Sequence, residues 1–274
     1  TPALGSASTD PKPDNTCVQY MPSMENTSEC DGMIAGIAIA VAAFLMWTPL
    51  SRGLRNFAER RTRFRGLQTF IYAFLYTLVV AALTFPFVIY TDFFREHDYG
   101  LSNLDLPGWL VEFTIVVLVN GVLFSLLAVG VYAVIRRAPR TWWIWGAGVC
   151  IAFLTMTIVI APVVFSPLLN EFTAMEEGPL KDELLAMAHA NGVPADNVYV
   201  FDLSEQTDVM SANVSGFLGT TRISLSDNLV KHATREQVRA VMGHEIGHYV
   251  LGHNVKFLVY MGVILVIGFG FTFW

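Results

Sequence analysis

Apolar residues in this chain are grouped into long runs that carry no charge. Five stretches lack Asp, Glu, Lys and Arg over roughly the 20 residues that a membrane-spanning helix needs. They are Gly32–Ser51, Gly66–Thr91, Phe113–Ile135, Thr141–Asn170 and Phe257–Trp274. Apolar core helices of soluble proteins have shorter runs, of about 10–14 residues. The pattern therefore predicts a mainly α-helical, multi-pass membrane bundle. Four spanning helices are expected within residues 32–165 and a fifth over residues 254–274, after a polar tail at residues 1–31.

Residues 166–253 differ from these runs because charges are frequent and helical and strand patterns alternate there. Glu177–Asn191 has the apolar spacing of an amphipathic helix, with Gly192 as its stop. Asn197–Leu203 alternates like a strand, and Ser211–Ser226 resembles two short strands joined around Gly219. This segment is predicted to be an α+β unit within the membrane protein.

Composition agrees with a membrane protein. The chain has 274 residues, of which 54% are hydrophobic and only 15% are charged, whereas soluble domains have about 25% charged residues. The net charge of −6 gives no support for a nucleic-acid partner, and none is expected. Three cysteines are too few for a disulfide scaffold. Cys17 and Cys30 either pair or stay as free thiols, and the sequence leaves both alternatives open.

Arginines are concentrated in two short loops between the predicted spans. Nine of the thirteen arginines occupy them: Arg52, Arg55, Arg60, Arg61, Arg63 and Arg65 in one, and Arg136, Arg137 and Arg140 in the other. The intervening loop has Arg95 alone against four acidic residues. By the positive-inside rule both arginine loops face the cytoplasm. The segment after residue 165 is then expected on the opposite, extracytoplasmic side.

One motif in the polar segment indicates metal chemistry. Thr234 and Gln237 form a capping-box start for a helix predicted to run to about His253. This helix contains His244-Glu245-Ile246-Gly247-His248, an HExxH motif. Histidines four residues apart share one helix face and can bind one Zn²⁺, while the adjacent glutamate can take a proton from bound water. The alternative is that both histidines simply lie on a solvated helix face.

A third protein ligand is needed to complete such a site. His253 follows His248 by five residues, and on a continuous helix it points about 140° away. It can therefore close the site only if the helix breaks at Gly252, and we interpret it as a surface or substrate-side histidine. The other option is an acidic residue on another helix, but no Asp or Glu follows Glu245. The apolar run that stops at Trp274 leads us to expect further sequence beyond it.

Four blocks of the sequence resemble the CAAX prenyl protease type 1 family of integral-membrane zinc metallopeptidases, and more distantly the HtpX proteases. The blocks are FPFVIYTDFFREHDYGLSN, APVVFSPLLNEFTAMEEGPLKDELLAMA, SGFLGTTRISLSDNLV and VMGHEIGHYVLGH. The resemblance implies a gluzincin-like peptidase segment and seven membrane helices around a chamber. It also implies one Zn²⁺ per chain, held by His244 and His248, with Glu245 as the catalytic base. The third ligand would be a glutamate that this sequence lacks.

The family also has a strand that lines its substrate groove. The family's Asn-Ala pair corresponds to Ser211 and Ala212 here, and we take these two with Asn213 as substrate-binding candidates. Such a strand pairs with an extended peptide through main-chain hydrogen bonds. In the same block, Asp227 and Arg222 either orient substrate or pair with each other.

The resemblance implies an endopeptidase that acts on a peptide or protein in the lipid bilayer, for instance in C-terminal processing of prenylated proteins. An HtpX-like quality-control protease is one alternative. A non-catalytic transporter or scaffold with a structural metal is another, although charges typical of a transport path are absent from the five runs. The resemblance places the catalytic segment on the cytoplasmic side, which conflicts with the arginine loops, so the side stays open.

Overall fold

The computed structural model describes residues 36–37, 39–161, 166–216 and 221–274. The predicted tail with Cys17 and Cys30, and the turn at Gly219, lie outside these ranges. Residues up to Pro49 form one unit, in which residues 39–47 are helical, and Leu50–Trp274 form a second. The first predicted span, Gly32–Ser51, falls partly on residues that are not described and stays a prediction.

The second unit is dominated by helices. Its main helices are α1 Leu50–Arg61, α2 Arg65–Ile89, α3 Leu106–Arg137, α4 Trp142–Ile160, α5 Pro179–Ala190, α6 Asp227–His232, α7 Arg235–Val250 and α8 His253–Phe273. A π-helical turn, Tyr90–Phe94, extends α2 into a last helical turn, Arg95–Asp98. By length and hydropathy Arg65–Asp98, Leu106–Arg137, Trp142–Ile160 and His253–Phe273 can each cross a membrane. The multi-pass helical fold is therefore confirmed.

Two of the uncharged runs differ in extent from the helices that contain them. The third run begins at Phe113, but its helix α3 begins at Leu106, because the side chain of Asp105 caps the helix by accepting a hydrogen bond from the Gly108 N–H at 2.8 Å. The fourth uncharged run reaches Asn170, whereas helix α4 runs from Trp142 to Ile160, and the backbone of Ala161 is still helical (φ −50°, ψ −50°). Residues 162–165 lie outside the described ranges. A cap at Asp105, rather than the position of a charge, therefore sets the start of α3.

The membrane-length helices pack in chain order, with α2 on α3, α3 on α4 and α4 on α8, and the shorter α1 packs on α2. Trp142, the first residue of α4, lies 5.6 Å from Phe269 near the end of α8 (between ring centroids), so these two helices are antiparallel. The loop after α2 contacts the polar segment, where Asn103 Nδ2 donates to Asp208 Oδ1 at 2.7 Å. The arginine-rich ends of α2 and α3 therefore lie at the opposite end of the bundle from the polar segment.

A four-stranded sheet organises the polar segment. Its strands are β1 Phe172–Ala174, β2 Val198–Phe201, β3 Ala212–Ser215 and β4 Arg222–Ser226. They lie in the order β1-β2-β4-β3, with β2 and β4 parallel and the two outer pairs antiparallel. The predicted strands are thus confirmed, and β3 is an edge strand of the sheet.

The core of the polar segment lies between the sheet and helices α5, α6 and α7. Leu184 of α5, Ile223 and Leu225 of β4 and Met242 of α7 are fully buried there. Burying such large aliphatic side chains contributes roughly 1.5–3 kcal/mol each. This packing fixes the orientation of α7, the helix that carries the HExxH motif.

Candidate active site

Helix α7 begins at the predicted capping box. The Thr234 N–H donates to Gln237 Oε1 at 2.8 Å, and the Gln237 N–H donates to Thr234 Oγ1 at 3.3 Å. In the next residue, Arg235 Nε donates to Glu183 Oε2 of α5 at 2.7 Å. These contacts satisfy free N–H groups of the first turn and hold the helix start against α5.

One face of α7 is buried and the other carries the histidines. Val238, Met242 and Ile246 recur every four residues and pack into the core. His244 and His248 lie on the opposite face and are exposed, whereas Glu245 is half-buried beside them. The amphipathic spacing therefore aims both imidazoles away from the core.

The two imidazoles converge as a metal site requires. His244 Nε2 and His248 Nε2 are 3.0 Å apart, whereas two nitrogens sharing a tetrahedral Zn²⁺ stand about 3.3 Å apart. Neutral imidazole nitrogens are preferred zinc ligands. Within the described residues, no cluster of three or more His, Cys, Asp or Glu side chains is placed to hold a metal. The pair fits two positions of a zinc site, and the third ligand stays a prediction.

The predicted end of the HExxH helix was wrong. Helix α7 ends at Val250, and Gly252 adopts the left-handed conformation (φ 61°, ψ 39°) before α8 begins at His253. Glycine reaches this conformation without a Cβ clash, which makes it the usual residue just after a helix end. The break redirects the chain, so that His253 does not point away from His248 as it would on a continuous helix.

His253 instead contacts the second histidine of the motif. Its Nδ1 lies 2.7 Å from His248 Nδ1, with the two rings nearly perpendicular. One of these nitrogens must donate and the other accept. If His248 Nε2 keeps its lone pair for a metal, then Nδ1 carries the proton and donates it to His253. This is the outer hydrogen bond that metal-binding histidines usually make. A break at Gly252 was the condition for His253 to reach the site, but the sequence pattern favoured a continuous helix, and so this contact was not predicted.

Strand β3, with the substrate-binding candidates, packs against α7. The Ser226 N–H donates to the Ser211 carbonyl at 2.8 Å, and Asn213 pairs with Ser224 two residues further on. Hydrogen-bonded pairs alternate in an antiparallel ladder, so the backbone groups of Ser211 and Asn213 face β4. Those of Ala212 and Val214 point to the open edge. Of the three candidates, only Ala212 therefore has main-chain groups at the open edge of the sheet, and Val214 shares this orientation.

Asp227 and Arg222 have separate partners. Asp227 accepts hydrogen bonds from the Ser204 N–H at 2.9 Å, the Ser204 hydroxyl and Lys231 Nζ at 2.7 Å. Burial alone would raise the pKa of Asp227, but these hydrogen bonds and the Lys231 charge lower it to about 2. Arg222 lies over the Phe172 ring, 4.2 Å from its centroid, and burial lowers its pKa. Asp227 is therefore a structural tie between the turn at Ser204 and α6.

Membrane-length helices joined to a small mixed sheet and an HExxH helix define the class of integral-membrane HExxH metallopeptidases. Comparison with known families agrees with this class. The profile of the CAAX prenyl protease N-terminal region, with five membrane helices, matches residues 32–171. The profile of peptidase family M48 matches residues 174–273. The chain belongs to the CAAX prenyl protease family of M48 peptidases.

Individual relatives share about half their length with this chain. The chain is 28% identical to the uncharacterized metalloprotease YhfN of Bacillus subtilis, over 80% of this chain and 50% of that protein. It is 33% identical to the CAAX prenyl protease 1 homolog of Dictyostelium discoideum, over 70% of this chain and 46% of that protein. The crystal structure of S. mikatae Ste24p has the same fold, with a TM-score of 0.71 at 22% identity, covering 83% of this chain and 54% of that chain.

Proposed function

We propose that the protein is a zinc-dependent endopeptidase that cleaves extended peptides at the membrane. The observation that carries this proposal is the convergence of the His244 and His248 Nε2 atoms, 3.0 Å apart, on a helix that packs against an edge strand. His244 and His248 would hold one Zn²⁺, whose chemistry when bound is to acidify a water molecule and polarise the scissile carbonyl.

The residues around this pair have distinct roles in the proposed reaction. Glu245 directly follows His244 and is half-buried, and its carboxylate would accept a proton from the attacking water. The same carboxyl group then protonates the leaving amine. His253, at 2.7 Å from His248 Nδ1, holds the His248 ring in the tautomer that leaves Nε2 free. Edge strand β3 orients the substrate through the main-chain groups of Ala212 and Val214.

A lipid-modified substrate is the finer part of the proposal. Several relatives are named CAAX prenyl protease 1, among them those of Dictyostelium discoideum and Saccharomyces cerevisiae. An apolar cavity of about 680 Å³ lies between α2, α3, α4 and α8, lined among others by Phe124, Leu154 and Leu265. A membrane-level apolar cavity of this kind suits an isoprenoid chain, and it supports the C-terminal processing of prenylated proteins.

The third zinc ligand is also proposed rather than observed. The family resemblance implies a glutamate, while the printed sequence has no acidic residue after Glu245. Because His253 contacts His248 through the nitrogen that faces away from His244, it is better placed as a hydrogen-bond partner than as a ligand.

The test is the Glu245→Gln variant of the full-length protein, assayed on a farnesylated CAAX peptide and on the same peptide without the lipid. We expect one bound zinc per chain in both proteins and cleavage by the wild type alone, with preference for the farnesylated peptide. Glu236→Gln, in the first turn of the same helix, is the matched control and should cleave normally. Undiminished cleavage by Glu245→Gln would refute the mechanism. A wild type without zinc would favour the transporter or scaffold alternative.

A further inference from the structure

A second cavity, lined mainly by polar side chains, lies at the arginine-rich end of the bundle. It has a volume of about 470 Å³, opens to the surface and is bordered by α1, α2 and the last turns of α3. Four arginines line it: Arg52 and Arg55 from α1, Arg65 from α2 and Arg136 from α3. We call it the arginine cavity. Since the polar segment lies beyond the opposite ends of α2 and α3, the arginine cavity is separate from the proposed catalytic site.

Positive charge in the arginine cavity is largely uncompensated. Among the residues that the structure describes, Glu59 is the one acidic residue in its lining, and Arg55 Nε lies 3.6 Å from its Oε1. No carboxylate of the described residues forms an ion pair with Arg52, Arg65 or Arg136. Three guanidinium groups from three different helices therefore share one concave space and repel one another unless an anion joins them.

The surroundings place the arginine cavity at the level of lipid headgroups. Arg65 is the first residue of span α2 and Arg136 is the last but one of span α3. Next to them, Phe64 is 76% exposed and Phe57 of α1 is 43% exposed. Exposed aromatic residues beside arginines are typical of a helix that lies in the membrane interface. The occupant of the cavity must therefore be an anion that is available at this level.

We propose that the arginine cavity binds the phosphate group of an anionic phospholipid. Guanidinium groups form paired hydrogen bonds with phosphate oxygens, and basic pockets between membrane helices bind lipid headgroups. Hydroxyl groups supply further polar contacts deeper in the cavity, where Ser51 Oγ and Tyr72 Oη are hydrogen-bonded at 2.8 Å. The acyl chains would leave the cavity along the apolar surfaces of α2 and α3.

Neighbouring arginines offer a matched control for the simpler explanation, that the charges only orient the protein in the membrane. Arg63 and Arg137 lie within two residues of Arg65 and Arg136, on the same loops, but they do not line the cavity. Diffuse attraction to anionic lipid would depend equally on both pairs. A built phosphate site depends on Arg65 and Arg136 but not on Arg63 and Arg137.

The experiment measures binding to the full-length protein in neutral detergent by isothermal titration, for the wild type, Arg65→Gln/Arg136→Gln and Arg63→Gln/Arg137→Gln. The probes are dihexanoyl-phosphatidylglycerol, dihexanoyl-phosphatidylcholine and inorganic phosphate. We expect saturable binding of phosphatidylglycerol but not phosphatidylcholine. The cavity pair should weaken this binding by about tenfold or more, and the control pair by less than about threefold.

Each outcome decides between the explanations. One outcome is that inorganic phosphate competes with phosphatidylglycerol and that its binding depends on Arg65 and Arg136 in the same way. That result would support the phosphate site, and it would identify free phosphate as a second source of the ligand. Equal losses in both double variants, or no saturable binding by the wild type, would overturn the proposal. Should the cavity pair fail to fold, Arg136→Lys keeps the charge but loses the paired geometry, and it must still bind more weakly than Arg137→Lys.

Discussion

Removing the His253 ring should weaken zinc binding even though His253 is not a proposed ligand. Its Nδ1 lies 2.7 Å from His248 Nδ1 and would accept a hydrogen bond from it if His248 Nε2 bound a metal. Hydrogen bonds to groups that carry charge contribute about 1.5–3 kcal/mol. Loss of the outer partner of a metal-binding histidine typically costs about 10- to 100-fold in metal affinity, or roughly 1.4–2.7 kcal/mol. The free-energy range for a charge-assisted hydrogen bond and the range for losing an outer partner of a metal-binding histidine therefore overlap.

Solvent exposure sets the expected value within that range. His248 is exposed and His253 is half-exposed, so water can replace part of the lost hydrogen bond in His253→Ala. We therefore expect an increase of about tenfold in the zinc Kd, at the lower end of the range for such partners.

The assay is competition for zinc between the full-length protein and a chromophoric chelator, with the absorption spectrum of the Co²⁺ form as a second measurement. His253→Gln retains a hydrogen-bond acceptor near His248 and should recover most of the affinity. His232→Ala, which removes an exposed histidine at the end of α6, should bind zinc as the wild type does. A Kd for His253→Ala within a factor of two of the wild type would refute the role of the contact, as would an equal loss in His232→Ala.

Two further predictions concern the sheet and its support. Val214→Pro removes an N–H that points to the open edge of β3 and leaves the bonds to β4 in place, so KM for an extended peptide should rise by roughly 2- to 12-fold, the value of one hydrogen bond. Asn213→Ala is its control, and an unchanged KM in Val214→Pro would argue against strand pairing. Asp227→Asn should destabilise the protein at pH 7 by about 1–2 kcal/mol. The pKa of Asp227 is about 2 in the folded protein, below its value in the unfolded chain, so the stabilisation by the ionised carboxylate is present above about pH 4. Thermal unfolding in detergent should show this difference shrinking as the pH falls towards 2, and a constant difference would contradict the assignment.

Long apolar runs and local caps made much of this fold predictable from the sequence. A spanning helix needs about 20 apolar residues whatever its neighbours are, and the capping box at Thr234 depends only on residues three apart. The histidine pair was predictable for the same reason, because the four-residue spacing of His244 and His248 places both rings on one helix face. These features are local, and the sequence pattern contains them completely.

The features that the sequence did not predict depend on contacts between residues that are distant along the chain. Gly252 permits a helix to continue at a cost of about 1 kcal/mol or to end in the left-handed conformation. The antiparallel packing of α8 on α4, for example of Phe269 on Trp142, accompanies the second outcome. The order of the strands in the sheet could not be predicted for a related reason. The alternation of apolar and polar residues identifies β2 and β4 as strands, but it does not show that they are parallel neighbours. The role of His253 follows from the break and was therefore hidden as well.

The two ends of the bundle carry opposite chemistry, and this links the proposed lipid site to the orientation of the protease. The arginine cavity and the HExxH helix lie beyond opposite ends of α2 and α3, so whichever side of the membrane one of them faces, the other faces the opposite side. Anionic lipid is abundant in the cytoplasmic leaflet. A phosphate site that selects anionic lipid is therefore most useful when the arginine loops are cytoplasmic, as the positive-inside rule also favours. In that orientation His244 and His248 face the extracytoplasmic side. Locating either end experimentally thus fixes the other and decides between the charge rule and the family resemblance.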